Sequence, residues 1–172
     1  MPRDSLRRQC ASLCAIIAVA ATGTTACTRR APLDPAACGR AIPESQLWAE
    51  SSDADTEQAI VTAQRCAHSR GTRVLVEFVA PWCEDCREMT RLDGTPEVAS
   101  VLHERYEHVR VNVGRWDQHT ALLRRFGIDR IAAYVVLDPA GQRVAQTVLE
   151  PITGGHGRVT PDQWIGWLRA PR

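Results

Sequence analysis

The apolar positions change period several times along the chain, and each change predicts an element. Between Asp55 and about Ser69, Ala59, Ile60, Ala63 and Ala67 recur at three- and four-residue steps, which makes one helix face, and Gly71 supplies a stop. Val74 to Val79 is then an almost continuous apolar run of strand length, the pattern of a strand buried on both faces. It runs into Ala80-Pro81-Trp82-Cys83-Glu84-Asp85-Cys86 and a helical stretch to about Leu92. Thr95-Pro96-Glu97 reads as a cap and first turn, opening a helix to about Arg105. Val109 to Val113 alternates in strand fashion, and Gln118 to Phe126 reads as a short helix closed by Gly127. Tyr134 to Leu137 and Arg143 to Leu149 read as a hairpin about the turn Asp138-Pro139-Ala140-Gly141. Residues 151–158, with Gly154, Gly155 and Gly157, read as a loop. Thr160-Pro161-Asp162-Gln163 matches a capping box and opens a last helix carrying Trp164, Ile165, Trp167 and Leu168. The order αβαα-βα-ββα predicts an α/β fold, a mixed sheet sandwiched by helices, behind an N-terminal extension. No internal repeat is evident.

The N-terminus follows a different pattern. Arg3, Arg7 and Arg8 precede an apolar stretch from Ala11 to about Ala21, too short for the roughly 20 apolar residues of a spanning helix. A basic start, a short apolar run and small residues read as a secretory signal over residues 1–26. Thr24-Thr25-Ala26-Cys27 resembles a bacterial lipobox, with Thr24 where Leu is usual. That resemblance implies lipidation of Cys27 and a membrane anchor; plain cleavage and an uncleaved anchor are the other readings. Arg7-Arg8 is the mark of twin-arginine export, but its flanks match poorly. Residues 27–44, rich in Arg, Ala and Pro without apolar period, read as a tether, and 45–172 as the domain.

Composition sharpens this only in part. The 172 residues hold one ordinary domain with short extras, and 44% hydrophobic residues are enough for a packed core. A net charge of +1 argues against nucleic-acid or polybasic membrane binding. All 21 basic residues are Arg, a compositional bias with no mechanistic weight of its own.

The seven cysteines carry the chemistry. Cys10 and Cys14 lie in the signal and Cys27 in the lipobox, which leaves Cys38, Cys66, Cys83 and Cys86, an even number suited to an oxidising compartment. Cys83 and Cys86 stand at a strand-to-helix junction. There the helix N-terminus favours a thiolate on the first sulfur, and the second, one turn along, can resolve a mixed disulfide. A structural disulfide or half of a zinc site is the alternative. Zinc wants about four ligands, and His68, His103, His108, His119 and His156 lack ligand spacing, so no metal site is assigned. Cys38 and Cys66 either pair, stapling the tether to the domain, or remain a free Cys38 and a buried Cys66.

At these residues the chain resembles the thioredoxin superfamily. Val74 to Cys86, with Trp82 before the first cysteine, is similar to its active-site strand and motif. The likeness continues through Phe126-Gly127-Ile128 to the last hairpin and helix, over roughly residues 45–170. Leu47-Trp48 and the long Cys86–Val109 interval resemble exported thioredoxin-like proteins and the DsbD-type periplasmic reductase domain. The resemblance implies a thioredoxin fold with Cys83 as nucleophile, Cys86 as resolving thiol and Glu77 assisting proton transfer. It also implies Trp82, Ile131 and Ala132 as the substrate-binding surface. A lone carboxylate in an apolar strand, unless edge-exposed, is expected to have a raised pKa. Ala132 stands where the superfamily has a cis-proline, and a cis bond before Ala costs about 2.5–4 kcal/mol, so a trans bond is expected. Glu84 and Asp85 offset the helix dipole at Cys83 and favour a reducing couple, nearer to about −270 mV than to about −120 mV, unless both are simply solvated.

Together these readings predict a reductase facing the periplasm of a bacterial envelope. It would act on thiols and disulfides of exported proteins, be recharged by a membrane thiol electron donor, and need no cofactor beyond its dithiol. A soft-metal-binding protein using Cys83 and Cys86, and a non-catalytic thioredoxin-like domain, are the competing readings.

Overall fold

The computed structural model describes residues 32–155 and 157–172. The expected signal 1–26 and Cys27 lie outside them. Four strands form one sheet in the order β2-β1-β3-β4. β1 (Arg73–Val79) runs parallel to β2 (Tyr106–Asn112) and antiparallel to β3 (Ala133–Leu137), which pairs antiparallel with β4 (Arg143–Thr147). The central place of β1 follows from its sequence, because six consecutive buried residues need partners on both edges and both faces.

Helices cover the sheet: α1 (Asp53–Arg70), α2 (Glu84–Asp93), α3 (Pro96–Arg105), α4 (Thr120–Phe126), α5 (Leu149–Thr153) and α6 (Pro161–Arg169). Ser52 caps α1 by accepting from Asp55 N–H, and Gly71 ends it in the left-handed region. The expected capping box forms: Thr160 Oγ1 accepts from Gln163 N–H, and Gln163 Oε1 accepts from Thr160 N–H. Alternation along β1 sends Phe78 to Phe126 of α4, while Glu77 faces the side where Tyr134 meets Trp164 of α6.

Three elements differ from the sequence reading. β2 begins at Tyr106, earlier than its apolar alternation suggests, because its polar residues find partners: Glu107 receives hydrogen bonds from Arg70, Thr72 and the Gly39 amide. α4 starts at Thr120, because His119 has φ 53° and cannot continue a right-handed helix. β4 ends at Thr147, and Leu149–Thr153 forms a one-turn helix inside the expected strand and loop. That turn lays Leu149 and Ile152 against the core on one side.

The stretch expected as tether is fastened to the domain over its described part. Cys38 is disulfide-bonded to Cys66 of α1. The Gly39 amide donates to Glu107 Oε2 (2.7 Å), and its carbonyl meets His103 Nδ1 (2.8 Å). Among the described residues, no helix is long and apolar enough to cross a membrane.

Candidate functional site

Cys83 is the N-cap of α2, directly after the Ala80–Trp82 turn that leaves β1. Its Sγ accepts from the Cys86 amide at 3.0 Å, and the two sulfurs are joined as a disulfide. The pair is asymmetric: Cys83 keeps 7% of its surface and Cys86 none. An incoming sulfur therefore meets Cys83, and Cys86 can react only from within. Glu84 and Asp85 occupy the first helical turn and are exposed.

Trp82 is 48% exposed, and its indole N–H donates to the Gly114 carbonyl at 2.7 Å. Phe78 pairs with Ala133, so the register brings Ala132 and Ile131 to the same end of the sheet as Cys83. Ala132 is buried and Ile131 half-buried. The Ile131–Ala132 peptide is cis, which corrects the expected trans bond. That expectation weighed only the preference of an isolated peptide; here the bond lies in a loop whose exit, Ala133, is fixed opposite Phe78.

Behind the dithiol lies a charged cluster that only part of the sequence reading anticipated. Glu77 is wholly buried. Arg110, its register partner on β2, donates from Nε to Glu77 Oε2 at 2.7 Å. His108 Nε2 lies 3.1 Å from the same oxygen, and the Tyr134 hydroxyl donates to Oε1 at 3.3 Å. Burial alone pushes Glu77 up, but Arg110 and His108 outweigh it and hold the carboxyl below its ordinary value. The expected raised pKa is thereby corrected: the residue is not alone, because the adjacent strand supplies its counter-charge.

The raised carboxyl is Asp93, at the end of α2, pushed up to about 7 by burial and by the neighbouring Glu77 charge. Its Oδ1 accepts from Trp164 Nε1 at 2.8 Å, and Oδ2 lies 3.4 Å from Arg110 Nη2. One guanidinium serves two carboxylates, and the closer one takes the charge. Asp93 and His108 border a 350 Å³ cavity walled by Ile42, Leu47 and Leu102, which gives the cluster a route to water. Glu77, Asp93 and His108 offer ligand atoms within 4.8 Å of one another, but Arg110 already supplies the cation there. Asp93 carried one legible signal, a polar residue on the buried side of an amphipathic helix; nothing local tied it to Glu77.

A mixed sheet whose central strand delivers a Cys-x-x-Cys pair to a helix N-terminus defines the thioredoxin-like class. Residues 55–139 match the thioredoxin-like family model. The chain carries a thioredoxin-like domain, with the fold of the thioredoxin superfamily. Among solved structures it is similar to a disulphide isomerase from Xylella fastidiosa Temecula1, at 21% identity and TM-score 0.62, over 71% of this chain and 95% of that one. It is also similar to the C-terminal domain of Neisseria meningitidis DsbD in its oxidised form, at 22% identity and TM-score 0.54, over 72% of this chain and all of that one. Among curated proteins it is 34% identical over 87 residues to the chloroplastic thioredoxin-like protein HCF164 of Oryza sativa subsp. japonica. That match takes in 48% of this chain and 30% of the relative's length.

Proposed function

We propose that the chain is an exported, membrane-tethered thiol–disulfide oxidoreductase that works as a reductase through Cys83 and Cys86. The observation that carries this reading is the asymmetric pair at the N-terminus of α2, Cys83 keeping a small exposed part and Cys86 none. In the reduced state the Cys83 thiolate attacks a partner disulfide, forms a mixed disulfide and releases the first partner thiolate. Cys86, as thiolate, then attacks Cys83 Sγ, releases the second partner thiol and leaves the Cys83–Cys86 disulfide. Two electrons pass to the partner, and a membrane thiol donor returns two to the pair. Trp82 and Ile131, at the same end of the sheet as Cys83, offer the surface for the partner chain, and the buried Ala132 adjoins it. Glu77 is the ionised member of the buried carboxyl pair, and Asp93 the member whose proton exchanges near neutral pH. The export and lipid anchor rest on residues 1–27, and the partners on the resemblance to exported thioredoxin-like proteins.

The testing experiment is a redox titration of the full chain against glutathione and dithiothreitol, as purified and after metal is stripped, beside a Cys83→Ser variant. A reversible two-electron couple below about −200 mV, lost in the variant, is expected. A pair that never titrates would overturn the reading in favour of a structural disulfide. One that titrates only after metal is stripped would overturn it in favour of soft-metal binding. Mass spectrometry of the membrane fraction should find Cys27 diacylated at the mature N-terminus.

A further inference from the structure

The described residues contain three large hydrophobic side chains that stand in solvent: Trp82, Trp116 and Val144. Two of them, 48% and 38% exposed, belong to one corner of the molecule. The Trp82 indole is tied to the Gly114 carbonyl, and Gly114 opens the turn that carries Trp116. β1 and β2 end side by side here, with the Val113 amide donating to the Val79 carbonyl at 2.9 Å. The turn therefore sits at the end of the sheet from which Cys83 emerges.

This turn is built rather than loose. The Gly114 amide donates to Asn112 Oδ1 (3.0 Å), the Arg115 amide to Asp117 Oδ1 (2.8 Å) and the Trp116 amide to the Val113 carbonyl (3.0 Å). His119, at its end, is held by Asp53 at 2.8 Å. Among the described residues, Trp116 (φ 71°) and His119 (φ 53°) are the non-glycine residues with positive φ, and both lie in this segment. A bulky side chain in the left-handed region, on a rigid turn, points to a function for the position. No ring contact or hydrogen bond holds the Trp116 indole among the described residues. An indole fixed by its backbone, 38% exposed and without a ring contact or hydrogen bond among the described residues, leaves an apolar face for something outside the fold.

Charged groups near the dithiol are matched only in part, and Asp85 beside Cys83 and Arg115 beside Trp116 are exposed. Glu84 and Glu88 lie 3.6 and 3.5 Å from Arg158, and Arg87 donates to the Pro81 carbonyl at 2.7 Å. The apolar part of recognition at this corner falls to Trp82 and Trp116. Cysteines that are buried in folded proteins sit in apolar sequence and become accessible when the chain is unfolded.

We propose that Trp116 and Trp82 form the two faces of a docking surface for an extended, cysteine-bearing segment of an unfolded polypeptide, and that Trp116 selects segments with a large apolar side chain close to the cysteine. The inference rests on the dithiol being redox-active. In the reaction, the partner's disulfide gains two electrons and two protons and becomes two thiols, while the Cys83 and Cys86 thiols are oxidised to a disulfide.

The test uses the full chain in detergent, reduced beforehand and freed of reductant. Two short disulfide-linked peptides, differing only in Phe or Ala beside the cysteine, are reduced under single-turnover conditions. The wild-type rate constant should be about fivefold or more higher for the Phe peptide, the scale of one aromatic contact. Trp116→Ala should bring that ratio close to one with the dithiol potential unchanged, and Trp116→Phe should keep most of it. The preference should survive high salt, which screens charge but not apolar contact. Equal wild-type rates for the two peptides would overturn the proposal, even if Trp116→Ala failed to fold. So would a preference that persists in Trp116→Ala, or one that vanishes in high salt. Absence of any two-electron couple would instead remove the underlying redox reading, an outcome distinct from these.

Discussion

The proton inventory of the site turns on two residues. Glu77 and Asp93 share Arg110, and the shorter contact goes to Glu77. Asp93 keeps its proton in the folded state to about pH 7, whereas an unfolded Asp releases it near 4. Between those values the folded chain binds more protons, so this residue makes stability fall as pH rises. Glu77 works in the opposite sense. Its folded pKa is lowered, so its contribution is present above the unfolded value and is lost as pH falls through the folded one. Asp93→Asn should therefore gain on the wild type by about 2–4 kcal/mol between pH 5 and pH 8, read from urea denaturation at each pH. Parallel pH profiles for the two proteins would mean that Asp93 is ionised in the folded state.

At the scale of the element, α2 joins this cluster to the Cys83–Cys86 pair. Cys83 caps it, Glu84 and Asp85 fill its first turn, and Asp93 ends it. Ten residues of helix separate the two ends by about 15 Å, so Asp93 acts on the packing and charge behind the dithiol rather than on the sulfurs by contact. The two exposed carboxylates lie where the N-terminal dipole would otherwise stabilise the Cys83 thiolate. Replacing both, Glu84→Gln with Asp85→Asn, should make the couple more oxidising by about 10–30 mV, seen in the glutathione titration. A shift toward more reducing values would refute this reading of the turn. β2 matters as much. Its parallel register with β1 sets Arg110 opposite Glu77, and its continuation supplies the turn that holds Trp82 and carries Trp116.

At the scale of the molecule, the segment before the domain is part of its architecture. The Cys38–Cys66 disulfide closes a loop of 28 residues, and Gly39, Arg40, Ala41, Ile42, Glu44 and Leu47 help wall the cavity that Asp93 and His108 border. Replacing both cysteines by Ser should cost about 2–4 kcal/mol by denaturant unfolding, the range for a loop of that size. Hydrogen exchange should at the same time quicken at Gly39, whose amide is held by Glu107. Unchanged stability would mean that the Glu107 and His103 contacts fix the segment by themselves.

Much of the fold was legible because it depends on short-range pattern. The unbroken apolar run of β1 could be satisfied only in the middle of a sheet, the period of α1 placed Ile60, Ala63 and Ala67 on its buried face although Ala59 is exposed, and the capping box placed α6. The Cys-x-x-Cys spacing put both sulfurs at one helix end, and the even number of cysteines after residue 27 allowed the second pair, Cys38 with Cys66. Where polar residues are buried by distant partners, local pattern fails. β2 looked short because Glu107, His108 and Arg110 break its alternation, yet they are met by α1, the N-terminal segment and β1. The lone carboxylate of Glu77 pointed to a raised pKa, and only strand register supplied the guanidinium that lowers it. Sequence by itself determined the order of elements apart from the one-turn α5, and the placing of Cys83 and Cys86 at one helix end, because both are set by neighbours a few residues apart. Tertiary structure decided which carboxyl keeps its proton, and that Trp82 is tied to the turn carrying Trp116, because both depend on groups that only folding brings within a few ångströms.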